Sequence, residues 1–202
     1  MATTNTSAFE GNGLPTLFTF EVFRTGDVSQ VSTVDWSVVG SGTYAASASD
    51  FLNGLFPSGR ITFSPGQTSA IIEIYATGDS TVESDETFRV VLSNASPGTT
   101  ISIPTATGTI LNDDASVSIS QALSSNWEGN TETATPLTFT VTRTGYLNQA
   151  TTVGWSVTGT GTNPADAVDF AGGILPSGVV SFASNESSKT IIVYVAGDTD
   201  VE

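Results

Sequence analysis

Residues 78–88 form an acidic segment whose side chains are suited to binding a cation. Its four carboxylates fall within eight residues, at Asp79, Glu83, Asp85 and Glu86. No lysine or arginine lies among them, and two carboxylates about 4 Å apart repel each other by roughly 1–4 kcal/mol, depending on how wet the site is. Calcium prefers about six to eight oxygen ligands from carboxylates and carbonyls. The segment is therefore predicted to bind Ca²⁺ between the apolar runs that flank it.

The composition excludes several classes of function. The 202 residues carry a net charge of −15, which argues against binding nucleic acid or an anionic membrane surface, because both select basic patches. Without cysteine there is no disulfide framework or thiolate metal site, and without histidine the usual zinc ligand and the commonest general base are missing. A hydrolase would have to use carboxylates alone, and nothing marks a glycosidase pair, so no enzyme is predicted. No apolar run approaches the ~18 residues that span a bilayer, so no membrane insertion is expected.

The chain repeats itself with a constant offset. Trp36 lies in VDWSV and Trp155 in VGWSV, and 155 − 36 = 119. The same offset links both copies of the short motifs RTG, DF, PSG, GD and VE. One offset at so many positions indicates a tandem duplication. We assign repeat 1 to residues 1–114 and repeat 2 to residues 115–202.

Alternating apolar residues predict strands throughout the chain. Phe18, Phe20 and Val22 alternate with polar residues, and the segments around Trp36 and Trp155 have the same period. A period of two places one face in a core and the other towards water, so both tryptophans are expected to be core anchors. Turn-forming Asn-Gly and Pro-Ser-Gly segments separate the runs. We therefore predict an all-β chain of two tandem immunoglobulin-like antiparallel β-sandwiches.

The RTG motif places an arginine at the end of a predicted strand in each repeat. Arg24 and Arg143 each precede a Thr-Gly turn. Both side chains are expected to face water or a nearby acid.

The two repeats differ at their ends. Residues 116–119 read SVSI and predict a first strand in repeat 2, but repeat 1 has only polar residues there, so its first strand is predicted to be weak or missing. Repeat 1 ends with strands near residues 88–92 and 106–111, and repeat 2 is predicted to lack these last strands within this chain. Either the chain is an excerpt of a longer array, or a neighbouring chain supplies the strands by β-augmentation. The chain shows no obvious spare strands to donate, which favours the excerpt.

Several short motifs together resemble the Calx-beta repeat. They are EGN near each start, RTG, DF, PSG, F-x-x-G-x-T, GD-x-x-VE-x-DE-x-F and TILNDD. The resemblance covers one nearly complete copy, about 10–114, and a shorter one, about 115–202. It implies β-sandwiches with Ca²⁺ at one end, held by the EG glutamate, the DF aspartate, the acidic loop and the closing aspartates.

Carried onto this sequence, the resemblance implies two sets of metal ligands. In repeat 1 they are Glu10, Asp50, Asp79, Glu83, Glu86, Asp113 and Asp114. In repeat 2 they are Glu128, Asp169, Asp198 and Glu202, with Asp200 as an extra nearby acid. The alternative interpretation is that these acidic loops are only solvated turns.

The sequence departs from exchanger-type Calx-beta domains at three positions. Gly78 and Gly197 stand where those domains have another acid, and Asn112 replaces the first of three closing aspartates. Repeat 2 has no closing acids in this sequence. We therefore expect about one to three ions in repeat 1 and a weakened or empty site in repeat 2.

The resemblance implies a calcium-binding structural or adhesive module of a secreted or cell-surface protein or fibre of bacterial origin, in which Ca²⁺ stiffens loops and the joint between repeats. The expected partners are neighbouring repeats or identical chains in a tandem or fibrous assembly, and a glycan or surface receptor is a further candidate. The alternatives are a calcium-sensing regulatory domain and a carbohydrate-binding module. Residues 1–13 lack the basic start and apolar core of a signal peptide, so an export signal is expected outside this sequence.

Overall fold

The chain divides into two compact units, Met1–Asp114 (unit 1) and Ala115–Glu202 (unit 2). The computed structural model describes residues 2–121, 128–129 and 134–197. Regular structure in these ranges consists of β-strands and short 3-10 turns. No helix among the described residues is long and apolar enough to cross a membrane.

Unit 1 consists of two sheets that face each other. Its described strands are β1 (Ala2–Asn5), β2 (Ser7–Phe9), β3 (Thr16–Phe23), β4 (Ser32–Ser41), β5 (Ser58–Phe63), β6 (Ser69–Ala76), β7 (Glu86–Ser93) and β8 (Thr105–Leu111). One sheet has the order β1-β3-β6 and the other the order β2-β8-β7-β4-β5. The β2–β8 pair is parallel, and the other pairs are antiparallel. Two 3-10 turns, Ala48–Asp50 and Leu52–Gly54, lie in the β4–β5 connection.

Four phenylalanine rings form the centre of the unit 1 core. Because side chains alternate between the faces of a strand, Phe18 and Phe20 of β3 both point towards the opposite sheet. Phe88 of β7 meets the rings of Phe18, Phe20 and Phe51 edge-on, with centroids 5.3, 5.9 and 5.3 Å away. All four side chains are 0% exposed. Complete burial of a phenylalanine contributes about 1.5–3 kcal/mol, so this cluster holds the two sheets together.

Unit 2 has a smaller buried core. Its described strands are β9 (Ala115–Gln121), β10 (Thr135–Gly145), β11 (Thr151–Ser156), β12 (Ser177–Phe182) and β13 (Ser188–Val195), with a 3-10 turn at Ala167–Asp169. One sheet has the order β13-β10-β9, and β11 pairs with β12 in the other. The buried apolar residues are Val141, Phe170, Val180, Phe182, Ile191 and Val193. Trp155 is partly buried against them, as Trp36 is against the core of unit 1. The predicted all-β fold of tandem β-sandwiches is confirmed.

The first strand of unit 1 is present, contrary to the prediction that it is weak or missing. Residues Ala2–Asn5 pair with β3, and β2 then pairs with β8 in the other sheet. The backbone carbonyl of Thr6, between the two segments, accepts from the N–H of Thr109 at 2.7 Å. β1 lies at the edge of its sheet, where short strands with polar sequences are common.

The prediction that Arg24 and Arg143 face water or an acid is wrong. Their exposed fractions are 8% and 1%. The guanidinium of Arg24 donates to the Oγ of Ser32 at 2.9 Å and to four backbone carbonyls, those of Val28, Gln30, Ser64 and Gln67. The guanidinium of Arg143 likewise donates to three carbonyls, those of Leu147, Gln149 and Ala183. Each arginine therefore organises the loops at the end of its unit where β3 or β10 ends.

Candidate metal site

Several chain segments of unit 1 meet at the end of the sandwich where β3 begins. Strands β2, β6 and β8 all end there. The N–H of Glu10, just after β2, donates to the carbonyl of Leu111 at the end of β8 at 3.0 Å. The N–H of Thr77, just after β6, donates to the carbonyl of Asp50 at 2.9 Å. Backbone pairing thus brings the residues after these strands together with the 3-10 turn that contains Asp50.

The carboxylates on these segments form two acidic groups. In each group, three carboxylate oxygens lie within 4.8 Å of one another. The first acidic group is Glu10, Asp113 and Asp114, and the second acidic group is Asp50, Glu83 and Glu86. The two groups contain six of the seven residues that the resemblance implies as ligands in repeat 1.

Burial and mutual repulsion raise the pKa of carboxyls in both groups. Burial is the largest cause for Glu10, whose pKa rises to about 7, and the charges of Glu83 and Asp79 add to it. Burial is also the largest cause for Glu86, whose pKa rises to about 8, followed by its hydrogen bond with Asp50 and the charge of that residue. The same two effects, burial first, raise the pKa of Glu83. A cation among these oxygens would remove the repulsion that otherwise favours the protonated forms.

Asp114 carries a buried oxygen without a hydrogen-bond donor among the residues that the structure describes. Its side chain is 7% exposed, and burial, followed by the charge of Asp113, raises its pKa. The amide of Asn12, oriented by its hydrogen-bond partners, donates to Oδ1 of Asp114 at 2.7 Å and to the carbonyl of Asp79 at 2.5 Å. Oδ2 of Asp114 has no hydrogen-bond partner among the described residues. Buried polar atoms in native proteins almost always have a partner, so this atom points to a bound ion or water.

Asp79 belongs to neither acidic group, although it lies close to both. Its charge is one of the causes, after burial, that raise the pKa of Glu10 and of Glu83. Its Oδ1 accepts from the N–H of Thr81 at 2.6 Å, which closes a turn at the start of the acidic loop. A ligand role for Asp79 stays a prediction.

Asn112 connects the acidic loop to the end of β8, a role that sequence reasoning missed. Its side-chain oxygen accepts from the N–H of Glu83 at 3.0 Å, and its side-chain amide donates to the carbonyl of Asp114 at 3.0 Å. Its backbone N–H donates to Oδ1 of Asp85 at 3.1 Å, so that carboxylate stabilises the loop. An aspartate could not make the same pair of side-chain bonds, because a carboxylate only accepts. The only sequence signal was an amide next to paired aspartates.

A family model for the Calx-beta domain matches residues 4–115 and 112–202. The chain belongs to the Calx-beta family. The solved structure of calcium binding domain CBD12 of CALX1.1 is 25% identical, with a TM-score of 0.50, and the match covers 93% of this chain and 71% of that chain. CBD12 from CALX1.2 is 24% identical with a TM-score of 0.51, over 95% of this chain and 73% of that chain, a likeness that shows the fold alone.

A curated relative of this Calx-beta chain is the extracellular matrix protein 3 of Lytechinus variegatus. The two are 32% identical over 193 residues. The match covers 90% of this chain but 6% of the relative. This chain therefore spans a small part of the length of that protein.

Gly78 and Gly197 occupy the same position in the two Calx-beta units, and neither position has room for a side chain. A Cβ atom on Gly78 would overlap the carbonyl oxygen of Gly11 and lie 2.5 Å from that of Glu10. A Cβ atom on Gly197 would lie 2.6 Å from the carbonyl oxygen of Gly129, and separations under 3.0 Å essentially never occur for real Cβ atoms. The absence of an acid at both positions therefore follows from a close backbone contact.

In the second Calx-beta unit, the described residues bring no three acidic side chains together. Asp169 is buried, and its Oδ2 accepts from the N–H of Asp166 at 2.6 Å, so it caps the 3-10 turn. Glu128 is half-buried. The remaining predicted ligands lie outside the described residues: Asp198, Asp200 and Glu202.

Proposed function

We propose that the acidic end of unit 1 binds Ca²⁺ and that the chain is a calcium-binding structural module of a secreted or cell-surface protein. The observation that carries the proposal is the buried Oδ2 of Asp114, which has no hydrogen-bond partner in the described part of the chain. Asp114 belongs to the same acidic group as Glu10 and Asp113. A divalent ion would satisfy that oxygen and compensate the neighbouring charges together. Two acidic groups suggest two adjacent ion positions.

The chemistry of the donors favours calcium over other metals. All candidate ligands are hard oxygens from carboxylates, with backbone carbonyls nearby, and the chain has no cysteine or histidine. The described ion pairs, Arg60–Asp35 and Lys189–Glu186, leave these carboxylates without a cationic partner. Calcium accepts an irregular set of about six to eight oxygens, whereas magnesium requires near-octahedral geometry, and these ligands come from loops and strand ends rather than a rigid cage.

Bound calcium would stiffen unit 1 where the chain leaves it. Asp113 and Asp114 directly precede Ala115, where unit 2 begins. An ion held by both residues and by Glu10 would fix the backbone on the entry to the second unit, which suits a module in a tandem array. The proposed partners are accordingly neighbouring repeats or identical chains.

The likeness to an extracellular matrix protein supports a location outside the cell. Extracellular calcium is abundant enough to saturate sites of millimolar affinity, so a stiffening role does not require tight binding. An adhesive role and a bacterial source rest on the sequence interpretation alone and remain part of the proposal.

Calorimetric titration of the full chain with Ca²⁺, combined with thermal unfolding in Ca²⁺ and in EDTA, tests the proposal. An ion that binds only the folded state raises the unfolding free energy by about 2.7 kcal/mol at a free concentration of 100 Kd. Magnesium at the same concentration should stabilise the protein less. A chain that shows no heat of binding and unfolds at the same temperature in Ca²⁺ and in EDTA would rule out the site.

A second candidate, a calcium-sensing regulatory domain, is favoured by the likeness to CBD12 of CALX1.1. A sensor changes shape at micromolar Ca²⁺, whereas a stiffener saturates at higher concentrations with little change in shape. Small-angle scattering across a calcium titration separates the two. A transition complete at micromolar Ca²⁺ with a changed radius of gyration would favour the sensor.

A further inference from the structure

Each unit has an open sheet edge at the same strand. β5 is the last strand in the five-stranded sheet of unit 1, and β12 is its counterpart in unit 2, since 177 − 58 = 119. β5 pairs with β4 alone, and β12, within the described residues, pairs with β11 alone. Unit 1 contains β7 and β8 on the other side of β4, and the edge of β5 is still open. Such an edge presents unpaired N–H and C=O groups that can pair with another chain.

Unit 1 carries an ion pair next to this edge, and unit 2 does not. Arg60 of β5 lies opposite Asp35 of β4, and its guanidinium donates to the two carboxylate oxygens at 2.6 and 3.1 Å. At the offset of 119 their counterparts are Val179 and Gly154, which also lie opposite each other. Val179 is 67% exposed. The sequence of β12, SGVVSF, has no charged residue, so this edge lacks the usual protection against pairing with another strand.

The backbone of β12 directs three residues towards the open edge. The N–H of Val157 donates to the carbonyl of Pro176 at 2.8 Å, one step beyond the paired residues of β11 and β12. Hydrogen-bonded positions alternate along an antiparallel pair, so residues 178, 180 and 182 bond to β11. The N–H and C=O groups that point the other way are those of Ser177, Val179 and Ser181. The side chains of the same three residues lie on the exposed face of the strand.

These three residues have the same order in both directions along the strand. If a second β12 lies antiparallel with Val179 opposite Val179, each Ser177 lies opposite a Ser181. All three opposed pairs are then at hydrogen-bonding positions, and each pair exchanges two backbone hydrogen bonds. Neutral residues of the same type face each other across the pair, so no charge repulsion between opposed side chains resists the pairing. The edge of β12 is therefore complementary to itself.

We propose that β12 pairs antiparallel with β12 of a second copy of this chain, across a two-fold axis at Val179. The symmetric edge is the reason that the occupant is a second copy, because a two-fold interface requires one surface to be complementary to itself. The pairing uses no acidic residue and no calcium, so it goes beyond the proposed function and is tested in EDTA. One short strand buries little area, so the dimer is weak, with an expected Kd of about 10–500 μM.

Sedimentation of the full chain in EDTA, from about 10 μM to about 1 mM, measures this dimer. Each copy carries a net charge of −15, so a higher salt concentration should strengthen the dimer by screening repulsion. Val179→Lys places a charge on the edge and is expected to raise the Kd at least about tenfold. Val168→Lys is the matched control: Val168 lies in the 3-10 turn, is 70% exposed and undergoes the same change of charge, so the Kd should not rise.

A paired substitution, Gly154→Asp with Val179→Arg, copies the ion pair of unit 1 into unit 2. A Cβ at Gly154 has no atom within 4 Å, so the new side chain has room. The paired variant should stay monomeric over the same concentrations. Its urea unfolding should remain close to that of the wild type, because an exposed ion pair changes stability little. Loss of the dimer in a stably folded variant cannot be attributed to unfolding.

A disulfide trap tests the register of the pairing. The chain has no cysteine, so Val179→Cys introduces a single thiol. Opposed Cα atoms at a hydrogen-bonded antiparallel position are about 5.5 Å apart, a separation that a disulfide accepts. Oxidised glutathione should therefore cross-link the Val179→Cys chain at least about tenfold faster than a Val168→Cys control.

The proposal is overturned if the wild type stays monomeric up to about 1 mM at every salt concentration. It is also overturned if the Val179→Lys chain and the paired variant dimerise as tightly as the wild type. A dimer that forms without faster cross-linking of the Val179→Cys chain uses another surface or register, and it contradicts the proposal as well.

Discussion

The carboxylate of Asp113 accepts a hydrogen bond from the backbone N–H of Gly11 at 3.1 Å, although 102 positions separate the two residues. Gly11 lies between β2 and β3, and Asp113 follows β8. The bond therefore connects the N-terminal and C-terminal segments of unit 1. Asp113 is also a member of the first acidic group, so an ion bound there would reinforce the same connection.

Asp114→Asn is expected to weaken Ca²⁺ binding at least about tenfold, because it removes one of the proposed charged ligands of the ion. In EDTA the variant should be as stable as the wild type or more stable, since the substitution removes a buried negative charge that has no cationic partner among the described residues. Calorimetric titration and thermal unfolding in EDTA measure the two effects.

The matched control for this variant is Asp27→Asn. Asp27 lies in the exposed loop after β3, at the other end of unit 1, and its Oδ1 accepts from the N–H of Ser29 at 2.9 Å. Asparagine can make the same bond, so calcium affinity should not change. An Asp114→Asn protein that binds calcium as tightly as this control would argue against a ligand role for Asp114.

In EDTA, the stability of unit 1 is expected to fall as the pH rises from about 5 to about 8. The pKa values of Glu10 and Glu86 in the folded state are about 7 and about 8, both raised above 4.5. In this window the folded state binds more protons than the unfolded state, so each pH unit lowers the unfolding free energy by up to about 1.4 kcal/mol per group. Saturating Ca²⁺ should cancel the decrease, because the ion favours the ionised forms.

Urea unfolding at a series of pH values, with and without EDTA, measures this dependence. Glu10→Gln should reduce the slope between about pH 5 and 7, because the glutamine cannot ionise. Glu73→Gln, at an exposed position on β6, serves as the matched control for the loss of one carboxylate outside the acidic groups. Stability that increases with pH in EDTA would contradict the pKa shifts.

Gly78→Ala is expected to destabilise unit 1 by more than about 2 kcal/mol, because an added Cβ must displace the backbone at Gly11. Gly154→Ala is the control, since a Cβ at Gly154 has no atom within 4 Å. Urea unfolding of both variants gives the difference. Equal stability of the two would mean that the contact between Gly78 and Gly11 is not as close as described.

Arg24→Lys is expected to destabilise unit 1 by about 2–4 kcal/mol, because lysine cannot replace the planar set of donors that binds several carbonyls at once. Calcium affinity should stay unchanged, since Arg24 lies at the opposite end of the unit from the acidic groups. Arg60→Lys is the comparison: Arg60 forms an exposed ion pair with Asp35 at 2.6 Å, and its replacement should change stability little. Chemical denaturation and calcium titration of both variants check these expectations.

The strands were predictable because their signal lies in local alternation. Phe18 and Phe20 alternate with polar residues, and the structure buries both of them completely. The convergence of Glu10 with Asp113 and Asp114 came from the family resemblance, because residues more than 100 positions apart show no spacing that reveals proximity. The sequence could suggest acidic ligands, but only the fold separates them into two groups.

Residues that act through the backbone were not predictable in the same way. Arg24 was expected to face water or a nearby acid, yet its partners include carbonyls on two different loops, and carbonyls have no sequence signature. The sequence comparison treated Gly78 and Asn112 as positions where an acidic ligand is missing. In the structure, Gly78 permits a close backbone contact, and the side chain of Asn112 forms hydrogen bonds with two loop segments. Such roles depend on which backbone groups the fold leaves unpaired.

The parallel pairing of β2 with β8 gives unit 1 a mechanical property. If the chain is pulled towards its N-terminus at Ser7 and towards its C-terminus at Leu111, the force slides β2 and β8 past each other in shear. In that geometry their hydrogen bonds resist together instead of opening one after another. A cation between Glu10 and Asp113 would connect the residues that follow β2 and β8, so bound calcium would raise the force needed to separate these strands.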